Sequence, residues 1–284
     1  MRVSKLTVRL GWLLVCVSIL VAPSGSASAV DAIYPIAVAC GAEGPIYIAD
    51  LNLPGILKLE GNELSVYYQA SKQFRSPLNR VRCLALDHQQ RLWAGCTAAR
   101  NLFQVPSSGE PTPVSEELIE MPMSVVSNEA GDFFVADLEL RCVWKVRPGS
   151  KPEKFADVPP PRGLALDKSN RLWVVSQAGD QVIRLSADGK NRESVVKGTP
   201  FAFPHQIAVN SNETAYVTDG YGRTVWKIDL GKEPVKYAQG EPLDNPVGIA
   251  LRGNELLIAD PRAKSLIQVD TNGMMIKIPL TRNK

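Results

Sequence analysis

Apolar runs of only five or six residues recur along the chain in groups of three or four. The stretch from Pro161 to Leu185 shows the unit most plainly: P-R-G-L-A-L-D, a polar turn, R-L-W-V-V-S, a second turn, then Q-V-I-R-L. No run is long enough for a helix, and Leu, Val, Ile and Trp dominate them, so each predicts a strand of an antiparallel meander. Alignment on the first apolar triplet gives six copies, beginning at Ile36, Leu84, Val125, Leu164, Ile207 and Ile249, with spacings of 48, 41, 39, 43 and 42 residues. A period near 40 built from strands alone predicts propeller blades and excludes helical solenoids.

The columns of this alignment fit a radial array. Inner strands lie between neighbouring blades, so both faces are covered and the alternation of a half-exposed strand disappears. Ala is central to five of the six first triplets, where blades converge most closely. The aromatic column Tyr47, Trp93, Phe134, Trp173 and Tyr216, one strand further out, reads as core filling. Turns between first and second strands are rich in Gly, Asn and Asp, which supply left-handed or self-bonded conformations. Asp50, Asp137, Asp219 and Asp260 recur at the end of the second strand. They are expected to bond turn amides, since a calcium site needs six to eight oxygens converging on one point rather than a ring of separated carboxylates.

Residues 1–29 break the repeat. Arg2, Lys5 and Arg9 precede a twelve-residue apolar run, Gly11 to Ala22, and the small-residue site Ala27-Ser28-Ala29, the pattern of a cleaved secretory signal. The run falls short of the roughly 20 apolar residues of a spanning helix, so no stable membrane insertion is expected after cleavage. Secretion or transfer to a periplasm is the expected location. The whole chain has 32 Lys+Arg and 29 Asp+Glu, a formal charge of +3. Loss of the signal leaves 29 of each, and no global charge then favours nucleic acid. Residues 30–284 form one expected domain, taken as a monomer, with blades starting near 35, 82, 123, 162, 205 and 247. The mature cysteines Cys40, Cys83, Cys96 and Cys142 fit either disulfides or buried small apolar residues. Cys83 and Cys96 lie in adjacent strands of one hairpin and are the preferred pair if a bridge forms. Asn212-Glu213-Thr214 matches a glycosylation sequon.

The phrase P-x-G-[IL]-A-[LV]-[DN] … [LIA]-[WY]-[VI]-x-[DS] … V-[WI]-[RK]-[LI], closest in blades four to six, resembles the NHL repeat and runs from about Pro35 to Leu280. Blade two departs most, lacking the leading Pro and carrying Cys96 in place of Asp. The resemblance implies an all-β, six-bladed β-propeller with four antiparallel strands per blade and the first strand innermost. The count begins on a first strand and ends on a fourth, so the ring closes without exchange unless the Val30–Tyr34 segment adds to the last blade.

In such an array the loops before each first strand offer Arg82, Met123, Arg162, His205 and Val247 to one channel mouth. The longest spacing, before blade two, carries Lys72, Arg75, Arg80 and Arg82, with Arg100 on a same-face loop. A long loop in a tight repeat is a functional signal, although a basic loop in solvent needs no partner. Arg75, Arg82, Arg100, Arg162 and His205 are the candidate ligand-binding residues for a protein or a small extracellular ligand, anions included. His205 is also the one weak catalytic candidate, because it matches the Pro-His phrase of streptogramin-opening lyases that resemble NHL propellers. His88 belongs on the opposite face, so no paired-His site forms and neither cofactor nor metal is expected. Glu43-Gly44-Pro45 resembles a phrase of gluconolactonase-like propellers but sits in a turn away from the mouth. An exported binding module is the preferred reading. The alternative is a lactonase-like hydrolase or lyase with divalent Ca or Zn in the mouth.

Overall fold

The computed structural model describes residues 33–73 and 75–280. The expected signal sequence lies outside them. Six separate sheets of four strands follow one another along the chain, each strand bonded to the next in sequence. This is a six-bladed β-propeller. The first strands, Pro35–Cys40, Val81–Leu86, Pro122–Ser127, Pro161–Leu166, Pro204–Val209 and Gly248–Arg252, surround the axis. Their lining encloses a channel of about 300 Å³. Each start falls within one residue of its expected position.

Second strands are buried along most of their length because a neighbouring blade covers either face. Ile48, Trp93, Val135, Trp173, Val217 and Ile258 are all fully buried there. Small residues hold the tightest approaches: a Cβ on Gly248 would lie 2.9 Å from Ala37 Cα and 2.9 Å from Ile36 O, across the seam between blades six and one. That seam is closed mainly by apolar packing, with the Arg252 guanidinium also donating to the Gly44 carbonyl at 3.0 Å. Val38, Ile48 and Leu57 of blade one share a cluster with Leu257, Leu266 and Leu280. Blade six is completed by its own fourth strand, Met275–Pro279, rather than by the segment before blade one. Tyr34 instead serves blade one, where its carbonyl accepts the Leu51 N–H at 3.0 Å.

Two expectations are corrected by the strand register. In blade one Ala39 faces Tyr47, as Ala165 faces Trp173 in blade four. The repeated triplet there is therefore Val38-Ala39-Cys40, two residues later than the sequence alignment placed it. The approach to blade two remains the longest spacing. The expected Cys83–Cys96 bridge does not exist, and Cys40, Cys83, Cys96 and Cys142 are all free thiols. The hairpin register, with Leu86 opposite Leu92, sets Cys83 opposite Gly95, one residue short of Cys96, and a β-bulge between Val81 and Cys83 then places Cys96 opposite Val81. The two thiols consequently enter different apolar clusters, on opposite faces of blade two. Burial pushes the Cys83 thiol up to about 12, an inert value.

Candidate functional site

The bulge of blade two recurs. In blades one to five the ladder between first and second strands slips by one residue just after the opening residue, which is Pro everywhere except blade two. The extra residues are Ile36, Arg82, Met123, Arg162 and His205. A bulge leaves one residue outside the ladder and re-aims its side chain. All five side chains, with Val247 just ahead of the sixth first strand, line one pocket of about 190 Å³ at the channel mouth.

The aspartate column fixes this face. Asp137 accepts the amides of Glu120 and Met121, on the loop leading into its blade, and those of Glu139 and Leu140, on the turn after its own strand. Asp50, Asp219 and Asp260 repeat the clip in their blades. These carboxylates hold turns, as the sequence suggested, and in doing so they press both sets of loops onto one face. In blade four Ser176 holds that position and accepts only the Ala178 N–H at 3.1 Å, while Gln181 ties the blade to the loop leading into blade five, accepting the Phe201 N–H at 2.7 Å and donating to the Phe201 carbonyl. In blade two Asn101 likewise ties the third strand to the loop leading into blade three, accepting the Ser115 N–H at 3.0 Å and its hydroxyl at 2.7 Å.

Gln206 separates the mouth pocket from the channel, lining both. Its amide donates to the carbonyls of Met123 at 2.8 Å and Arg162 at 3.2 Å, and its Oε1 accepts the Ser124 hydroxyl at 3.1 Å. Blade five thereby reaches across blade four to blade three. The sequence reading passed over this residue, although a signal was present. Gln206 occupies the column held by Ala37, Cys83, Ser124, Gly163 and Gly248 in the other blades, which is otherwise small.

Two guanidinium groups face the pocket without a counter-charge. Neither Arg82 nor Arg162 makes an ion pair among the described residues, and the buried Nε of Arg162 has no hydrogen-bond partner. Partial burial and a second arginine nearby lower the pKa of each: Arg80 acts on Arg82, and Arg82 acts on Arg162. Both remain cationic, because the guanidinium does not deprotonate in proteins. Arg162 is held with its guanidinium 5.5 Å from the Phe203 ring centroid, and Phe203 in turn stacks on exposed Tyr221 at 4.6 Å.

His205 packs edge-on against Phe203 with centroids 5.0 Å apart. Gly220 makes room for it, since a Cβ there would lie 2.9 Å from its Nε2 and 2.5 Å from Asn245 Oδ1. Burial, reinforced by the Arg162 charge and opposed by Asp219, lowers the His205 pKa to about 4. The imidazole is thus neutral at physiological pH and adds polar surface rather than charge. Arg100 and Arg75 are not brought to this pocket. Arg100 pairs with Glu120, and Arg75 stands exposed on the loop before blade two. His88 is exposed on the opposite face, as expected. Among the described residues no group of three or more His, Cys, Asp or Glu side chains stands together as a cage for a metal ion.

No protein-family model and no curated relative matches the chain. Solved structures do match in fold. Virginiamycin B lyase from Staphylococcus aureus superposes with a TM-score of 0.68 at 16% identity, over 88% of this chain and 85% of that one. A gluconolactonase from Xanthomonas campestris gives 0.70 at 16% identity, over 87% and 86%. A chain of a nidogen–laminin complex gives 0.65 at 16% identity, over 84% and 88%. At these identities the similarity establishes the shared propeller fold.

Proposed function

We propose that this chain is an exported NHL-type propeller that binds a small organic anion at its channel mouth, with Arg82 and Arg162 as the anion-binding pair. The observation that carries the proposal is two half-buried guanidinium groups in one pocket with no carboxylate bonded to either. Removing such charges from water is costly unless an anion compensates them, and an arginine fork matches a carboxylate bidentately. Ile36, Met123 and Val247 supply apolar surface for the body of the ligand, while Asn245 offers a polar group to orient it. Clipped loops on a rigid ring bind with little ordering cost. Its leader supports action outside the cytoplasm, and the chain is taken as a monomer without a cofactor.

The rival reading draws on the neighbouring folds named as lyase and gluconolactonase, with His205 as proton acceptor. A base with a pKa near 4 accepts protons poorly at neutral pH, which favours binding over catalysis. Thermal-shift screening of organic carboxylates against wild type and the Arg82→Glu/Arg162→Glu variant tests the proposal. Carboxylates are expected to raise the wild-type Tm and to leave the variant unmoved. Retention of every shift by the variant overturns the proposal. Stoichiometric, chelator-removable Ca or Zn in purified protein would transfer support to the enzyme reading.

A further inference from the structure

Beside the mouth pocket lies a larger cleft of about 690 Å³, between the turn after the second strand of blade one and the loop leading into blade two. It shares Leu51 and Arg82 with the mouth, so the two cavities meet at the Arg82 side chain. Lys72 and Arg80 line the cleft and not the mouth, and neither side chain makes an ion pair or hydrogen bond among the described residues.

The wall that carries them is built rather than loose. Leu78 is fully buried beneath it. The Ser76 hydroxyl shares its one proton between the carbonyls of Ser71 and Gln73, 2.8 and 2.9 Å away, and the Asn79 amide donates to Gln73 O at 2.7 Å. Asp50 also borders the cleft, but its carboxylate accepts the amides of Tyr34, Asn52 and Leu53. Three cations therefore line one continuous path with Arg162 at its inner end. The side-chain carboxylate beside them is already committed to backbone.

We infer that the ligand of the mouth is an organic dianion, with one carboxylate on Arg82 and Arg162 at the axis and the other on Arg80 and Lys72 in the cleft. This rests on the reading of the mouth as an anion site. Arg80 ends the turn before the first strand of blade two and Arg82 is that strand's second residue, about 7 Å away between Cα atoms across Val81, so a short linker running past Leu51 joins the two groups. Joining two weak anion sites in one ligand makes the second contact intramolecular, and affinity rises without any new class of contact.

Ligand-observed NMR titration of the full chain separates the possibilities, using monocarboxylates from butyrate to octanoate and the matching α,ω-dicarboxylates from succinate to suberate. At its best length a dicarboxylate is expected to bind about tenfold or more tighter than the monocarboxylate, well beyond the roughly twofold gain of having two equivalent ends. In Lys72→Gln/Arg80→Gln that advantage is expected to shrink to the statistical factor while monocarboxylate affinity stays within about threefold, since the lost charges lie off its contact. Arg162→Gln should weaken both series. Equal affinities at every length, or an advantage that survives Lys72→Gln/Arg80→Gln, overturn the dianion and leave the mouth reading standing. Failure of both series to bind wild type removes the mouth reading, and the dianion with it.

Discussion

Arg162 and His205 occupy equivalent bulge positions in adjacent blades, yet they meet the same partial burial with opposite outcomes. A guanidinium keeps its charge when desolvated, whereas an imidazole gives up its proton. The mouth is thus cationic through its arginines and neutral at its histidine. A pH dependence follows. Between the ordinary value of 6.5 and the folded value of about 4, the unfolded chain binds a proton at His205 that the folded chain refuses. Stability conferred by this residue is complete above pH 6.5 and is lost as pH falls through that window. The loss reaches up to about 3 kcal/mol, at 1.36 kcal/mol per unit. Urea unfolding of wild type and His205→Gln at pH 7 and pH 4.5 measures it; the wild type is expected to lose more. Equal losses would show that burial does not hold the ring neutral.

Among the elements, the opening of each of the first five blades combines a proline or its substitute with a bulged residue, and four of the six blades carry a clipping aspartate. Proline suits the ladder end because it has no N–H to donate there. Asp137 satisfies four backbone amides and the Trp144 indole N–H at 3.2 Å. Asp137→Ala orphans those donors and is expected to cost about 2–4 kcal/mol, measured as a shift in urea midpoint, with Asp137→Asn losing less. The strands and the turn role of the aspartates were legible in the sequence, because both follow from local composition. The Cys83–Cys96 pairing was misjudged for one reason. The turn sets Leu86 opposite Leu92, so Cys83 meets Gly95, and Cys96, one residue further along the strand, points to the other face; the spacing between apolar runs carries no mark of that one-residue offset.

For the molecule as a whole, the ring closes by packing blade six against blade one, with no shared strand. Gly248 sits at that seam against the backbone of Ile36 and Ala37. Gly248→Ala forces the inner strands apart and is expected to cost about 1–3 kcal/mol, as an overpacked contact does. The check is urea unfolding, with the midpoint lowered and the slope unchanged. An unaltered midpoint would mean that the seam yields without cost and does not hold the ring.

Repetition alone determined that this chain makes six four-stranded modules and which loops gather at one end, because strand length, turn chemistry and period are local properties written in consecutive residues. Which basic side chains share a cavity was decided only by the tertiary structure. Arg82 and Arg162 meet at the mouth while Arg75 and Arg100 do not, since closure of the ring and the bulges in the first strands of blades two and four set those directions, and ring closure depends on partners distant in the chain.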